Sequence, residues 1–95
     1  MELEWDEAKE ARNLAKHKLD FSFAALVFSD PLAVSVYDRF ESGEHRWHLF
    51  ATVGGRLLLA VHTFPDPDRE DRVRIIGLRE ATTQERRRYE DGQFN

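Results

Sequence analysis

The stretch Arg72-Val-Arg-Ile-Ile-Gly-Leu-Arg-Glu-Ala-Thr-Thr-Gln-Glu-Arg-Arg-Arg-Tyr89 reads as a strand that runs directly into a helix. Residues 72–78 alternate charged and apolar side chains, the period of a strand with unlike faces. Thr82 or Thr83 then caps a helix reaching about Glu90, and Thr82 with Glu85 has the spacing of a capping box. Gly92 and the residues after it are expected to fray.

Working back from this junction, Pro65-Asp-Pro-Asp-Arg-Glu-Asp71 is a polar loop. Residues 56–64 and 45–53 read as strands joined by Gly54-Gly55, a strong hairpin signal. Residues 39–44 form a polar turn around Gly43, and 33–37 is the first strand of the series. At the N-terminal end, residues 6–17 read as a helix with Asp6 as N-cap, Glu7 and Glu10 at its positive end, and Lys16, His17 and Lys18 at its negative end. Trp5, Ala8, Leu14 and Ala15 give it an imperfect apolar stripe. Phe21-Ser-Phe-Ala-Ala-Leu-Val-Phe28 reads as a short second helix, with a buried strand as the competing assignment, and Ser29-Asp30-Pro31 ends it. The order predicts one α+β domain over residues 1–95: two N-terminal helices, a four-stranded, mainly antiparallel meander and a C-terminal helix.

The chain of 95 residues is 41% hydrophobic and 34% charged, the balance of a soluble globular domain. It has no cysteine, which excludes disulfides, thiolate metal sites and a cysteine nucleophile. Met-Glu-Leu-Glu-Trp5 lacks a signal-peptide apolar region, and no apolar run approaches the ~20 residues that span a bilayer, so a cytoplasmic location without membrane contact is expected. The net charge is -4, yet of 14 basic residues only Lys9, Lys16 and Lys18 are lysine, leaving 11 arginines. Guanidinium groups suit bidentate contacts to phosphate or carboxylate. Their concentration in the last quarter of an acidic chain points to a phosphate-bearing or acidic partner.

Side-chain alternation sorts the strands into faces. Trp47, Leu49, Ala51 and Val53, with Leu57, Leu59, Val61, Thr63, Val73, Ile75 and Gly77, are expected to form the core face. The opposite face would then collect Arg46, His48, His62, Arg72 and Arg74, if no bulge shifts the register. Arginines there could stabilise a phosphoryl transition state and histidines could move protons. The competing reading is a solvated face whose arginines pair with Glu44, Glu70 and Asp71. His17 is either a base or a side chain that satisfies the end of its helix. The acidic loop lacks EF-hand spacing, and no phosphate-binding glycine loop, zinc pair or nucleophile elbow is present. Arg86-Arg87-Arg88 wraps around its helix and cannot face a single ligand.

Several pieces in order resemble the BrnT-type toxins of bacterial type II toxin–antitoxin systems: Glu4-Trp5-Asp6-Glu7-Ala8-Lys9, Asn13 with Lys16-His17, Phe21–Phe28 with Asp30-Pro31, Glu44-x-Arg46-Trp47, Arg74-Ile-Ile-x-x-Arg79-x-Ala81, Glu85-Arg86 and Tyr89. The resemblance spans nearly the whole chain. It implies a RelE-like fold and a ribonuclease that blocks translation without metal or cofactor, the ribose 2′-hydroxyl attacking the adjacent phosphate. It also implies a cognate BrnA-type antitoxin, in a heterotetramer, that alone contacts operator DNA. On this reading Arg46, Arg74 and Arg79 bind and stabilise the scissile phosphate, and Tyr89, His62, Glu44 or Lys9 takes part in proton transfer. Lys9, His48, Arg72 and Arg86 are expected to contact RNA. For Arg79 the alternative is a salt bridge to Glu85, and for Tyr89 a packing ring. A non-catalytic interaction or corepressor module is the other function considered.

Three positions, at two places, depart from the family pattern. Lys18 stands where glycine usually follows Lys-His, so the first helix ends differently or carries ~1 kcal/mol of strain. Gly77-Leu78 replaces the usual Ser-Ala before Arg79.

Overall fold

The computed structural model describes residues 1–94. It is α+β: a five-stranded mixed sheet in the order β1-β5-β4-β3-β2, with helices on both faces. The strands are β1 (Glu2–Trp5), β2 (Val34–Glu41), β3 (Glu44–Val53), β4 (Arg56–Thr63) and β5 (Arg72–Glu80). The helices are α1 (Glu7–His17), α2 (Ala24–Ser29) and α3 (Thr83–Glu90), and a 3₁₀ turn at Phe21–Phe23 leads into α2. The fold class is as expected; the strand count is not. Glu-Leu-Glu-Trp5 is a strand pairing in parallel with β5, Glu4 opposite Arg74 and Trp5 opposite Ile75. Its alternation sends Leu3 and Trp5 to the core and Glu4 to the other face, so Trp5 belongs to a strand rather than to a helical stripe.

The local signals explain most boundaries. Asp6 accepts from the Ala8 and Lys9 amides and caps α1. Thr82 and Glu85 form the capping box of α3. Gly54 and Gly55 both have positive φ, the two-residue turn that suits strand twist. Ser42-Gly43 is a second such turn, which is why β2 runs on to Glu41 rather than stopping at Tyr37. Helix α1 ends on Lys18 in the left-handed conformation, φ 61°, with its amide on the Leu14 carbonyl.

The expected faces hold for β3 and for Val73 and Ile75, but β4 and the end of β5 are turned the other way by register. The Gly54-Gly55 turn pairs Val53 with Arg56 and hence Trp47 with His62. Leu58, Ala60 and His62 therefore share the face of Trp47, Leu49 and Ala51, under the 3₁₀ turn and α2. Leu57, Leu59 and Val61 share the other face with Arg46, His48 and Phe50. β4 is apolar on both faces, so its own alternation does not tell them apart. A bulge at Ile76 makes a further shift, because Val61 pairs with Gly77 but His62 with Ile75. Leu78 is thereby turned into the α2-side core and Arg79 into the opposite face.

That opposite face is not open along its length. Ala81, Tyr89 of α3 and Phe94 pack on Phe50, Leu57 and Leu59 as a second, smaller core. The tail expected to fray instead places the Phe94 ring stacked on Phe50, centroids 4.6 Å apart, with the Arg88 guanidinium 4.8 Å above it; Asn95 lies outside the described residues. At the other end of this face, α1 runs beside β5 and leaves a groove.

Candidate functional site

Five side chains of α1 recur at i, i+3, i+4, i+7 and i+8: Lys9, Arg12, Asn13, Lys16 and His17. That spacing places them on one helix face. Asn13 anchors this face to the sheet. β1 accompanies β5 only as far as Ile75, so the Leu78 backbone edge is left unpaired by strand. Asn13 replaces the missing strand there: its Nδ2 donates to the Leu78 carbonyl at 2.8 Å and to the Leu19 carbonyl at 3.0 Å, and its Oδ1 accepts from the Leu78 amide at 3.1 Å. The four cationic or basic neighbours then line a groove of about 330 Å³ with Arg46 and Ile76 of the sheet.

The groove adjoins a second recess of about 250 Å³, with Lys9, Arg46 and Ile76 common to both. Glu41, Ser42, Glu44 and Thr63 complete the recess. Three buried side-chain atoms have no hydrogen-bond partner among the described residues: Glu44 Oε2, Arg46 Nε and Thr63 Oγ1. All three residues line this recess. An unpaired buried polar group costs about 1–3 kcal/mol unless a bound molecule satisfies it, and all three fall on residues that line one recess.

The sheet arginines are held by carboxylates. Arg74 donates to Glu4 from Nε and Nη2, both at 3.4 Å, and to Glu44 Oε1 at 3.2 Å. Arg72 donates to Glu4 Oε1 at 2.6 Å, and this bond holds the Glu4 carboxyl below its usual pKa. Arg46 pairs with Glu41. Arg79 makes a bidentate pair with Glu85 at 2.8 and 3.0 Å, which holds the Glu85 carboxyl down to about 2. Lys9 makes no ion pair among the described residues.

The histidines separate by environment. His17 has its pKa lowered, by burial first and then by Lys16 and Arg79. His48 lies 3.4 Å from Asp38, but burial outweighs the carboxylate and lowers its pKa, so the contact is that of a neutral ring. His62 was expected on the functional face and is not there. It is 2% exposed in the main core, its rings of contact being Phe28 at 5.0 Å and Phe64 at 5.5 Å, with Nδ1 3.0 Å from the Ala60 carbonyl. Burial lowers its pKa and keeps it neutral.

Of the residues singled out in the sequence, Lys9, Glu44 and Arg46 come together at the groove and recess. Arg74 reaches Glu44 from the side. Arg72 stands against Glu4, away from either cavity, and Arg79 anchors α3 as its alternative reading held. Tyr89 packs in the second core, and Arg86 is half-buried on α3. Arg12, Lys16 and Thr63 were missed. The i, i+3, i+4, i+7 spacing of the α1 cations is the signal that marks Arg12 and Lys16; Thr63 carries no sequence signal of its own. In the acidic loop Arg69 pairs with Asp71 and, outside the loop, with Glu2 of β1. Among the described residues no cluster of three His, Cys, Asp or Glu side chains could ligate a metal, and no helix is long and apolar enough to cross a membrane.

Residues 5–85 match the family model for the ribonuclease toxin, BrnT, of type II toxin–antitoxin systems. No curated protein matches the chain.

Proposed function

The chain belongs to the BrnT family of ribonuclease toxins of type II toxin–antitoxin systems, and we propose that it cleaves RNA in the groove between α1 and the sheet, without a metal. The observation that carries this is the junction of a cationic groove with a recess holding unpartnered Glu44 Oε2 and Arg46 Nε. Arg12, Lys16 and Arg46 bind the phosphate backbone; Arg46, shared by both cavities, stabilises the charge that grows on the phosphoryl oxygens.

Glu44 Oε2 takes the proton of the ribose 2′-hydroxyl. The freed oxygen attacks the adjacent phosphorus and the bond to the 5′-oxygen breaks. Lys9, which makes no ion pair among the described residues, protonates the departing oxygen. The products are a 2′,3′-cyclic phosphate and a 5′-hydroxyl. Arg74 holds Glu44 through its other oxygen and sets its orientation. Of the groups expected to move protons, Tyr89 and His62 have no part in this scheme, since both sit in apolar packing.

A type II antitoxin is the natural partner. In this proposal it is of the BrnA type, assembles with the toxin as a heterotetramer in the cytoplasm, carries all operator-DNA contact, and silences the groove by laying acidic side chains on the α1 cations. The test is controlled expression in a bacterial host. Wild type should arrest growth and fragment RNA, with co-expressed antitoxin or Arg46→Ala relieving both. Intact growth and RNA with a folded wild-type protein would instead favour a non-catalytic interaction module.

A further inference from the structure

The buried Thr63 hydroxyl has no role in the scheme above, and its surroundings suggest one. Thr63 is 1% exposed, at the end of β4, and pairs across the sheet with Arg74. Its Oγ1 has no hydrogen-bond partner among the described residues, and neither do Glu44 Oε2 and Arg46 Nε beside the same recess. The three atoms differ in kind. A carboxylate oxygen accepts, a guanidinium N–H donates, and a hydroxyl does either. With the Thr63 hydroxyl donating, the recess offers one acceptor and two donors.

An anion would suit the donors but meet the carboxylate. A cation would suit the carboxylate but meet Arg46. A hydroxyl group has one donor and two lone pairs and matches all three at once. The neighbouring groove is cationic and shares Lys9 and Arg46 with the recess, so a hydroxyl held here lies next to a bound phosphate. On a nucleic acid chain, the hydroxyl adjacent to the backbone phosphate is the ribose 2′-hydroxyl, which DNA lacks.

We infer that the Thr63–Glu44–Arg46 recess is a ribose-selecting site: it binds the 2′-hydroxyl, and Thr63 is the residue by which the protein prefers RNA over DNA. Thr63 is a specificity and positioning residue. It donates to the 2′-oxygen while Glu44 accepts the proton, which aligns the oxygen for attack. The inference rests on the proposed RNA cleavage and adds to it a residue and a discrimination.

Thr63→Val removes the hydroxyl without changing the shape, and Thr63→Ser keeps it. The probes are labelled single-stranded RNA and DNA pools of random sequence and equal length, with binding read by stopped-flow anisotropy before turnover. Wild type should bind RNA about tenfold more tightly than DNA, and Thr63→Val should lose that preference with DNA affinity unchanged. Thr63→Ser should retain it. Thr63→Val should melt no lower than wild type, because it deletes an unpaired buried group. Undiminished preference in Thr63→Val, equal binding of both pools by wild type, or a Thr63→Val protein that melts well below wild type would each overturn the site. Wild-type cleavage of the RNA pool is scored in the same samples. Cleavage with unaltered Thr63→Val preference sinks the ribose site alone, whereas absence of cleavage sinks the underlying reading first.

Discussion

Arg74 and Arg79 project from the same face of β5 although they stand five positions apart, an odd offset, because the bulge at Ile76 absorbs one position between Ile75 and Gly77. Their partners differ. Arg74 reaches Glu4 and Glu44, at the recess, while Arg79 grips Glu85 on α3. One strand thus supports the candidate site with one arginine and fastens the terminal helix with the other.

The Arg79–Glu85 pair should be a pH-dependent contribution to stability. The Glu85 carboxyl is held down to about 2 by Arg79, against a usual value of 4.5. A depressed acid stabilises the fold above its unfolded pKa and loses that contribution as pH falls through the folded one. Both side chains are less than a third exposed. Glu85→Gln should therefore destabilise the protein by about 2 kcal/mol at neutral pH. The gap to wild type, read from urea melts, should narrow between about pH 4.5 and pH 2. A gap that stays constant over that range contradicts the assignment.

His62 should behave as a buried neutral base. Its pKa is lowered by burial, so the unfolded chain binds a proton near pH 6.5 that the folded chain refuses. Stability from this source is complete above that pH and declines below it. Melting temperatures of wild type should fall as pH drops from 7 to 5 more steeply than those of His62→Leu. Because His62 faces α2 and not the groove, His62→Leu should also keep its RNA cleavage; a loss of activity in a folded variant would restore it to the catalytic set.

Gly77 is a departure from the family pattern that the fold does not require. Its φ is not positive, and an added Cβ would meet Val61 Cγ2 at 3.7 Å and Asn13 Oδ1 at 3.8 Å, ordinary contact distances. Gly77→Ala should stabilise the strand by ~0.5–1 kcal/mol. Thermal unfolding checks this: an unchanged or lower melting temperature would mean that the bulge depends on the glycine.

Much of the fold was legible, and the losses have particular causes. The caps at Asp6 and Thr82 and the Gly54-Gly55 turn act over a few residues, so their chemistry appears in the sequence. β1 was missed because four residues are too few to outweigh the helix that follows, although Glu-Leu-Glu-Trp5 alternates. The faces failed where position depends on pairing: Val53 opposite Arg56 determines where His62 points, and the Ile76 bulge determines where Arg79 points. The site was half visible for the same reason. Arg46 and Glu44 announce themselves by charge, but Thr63 acquires meaning only when β3 and β4 are set side by side.

Glu41 should act as a brake on the groove. It pairs with Arg46 from the β2–β3 hairpin, and phosphate must displace it. The Glu41 side chain is 46% exposed, so the effect is small. Glu41→Gln should tighten RNA binding about twofold to fivefold at low salt, with the gain fading as salt rises. Weaker binding in this variant would mean that Glu41 positions Arg46 instead of competing for it.

The groove and recess are the proposed place of RNA cleavage. The direct measurement is cleavage of end-labelled RNA by purified wild type, Arg46→Ala and Glu44→Gln, each checked for folding, in the presence of EDTA. Wild type should cut and leave cyclic phosphate ends, and each variant should be slower by about 10²–10³. Dependence on added metal, or variants that cut as fast as wild type, would contradict it.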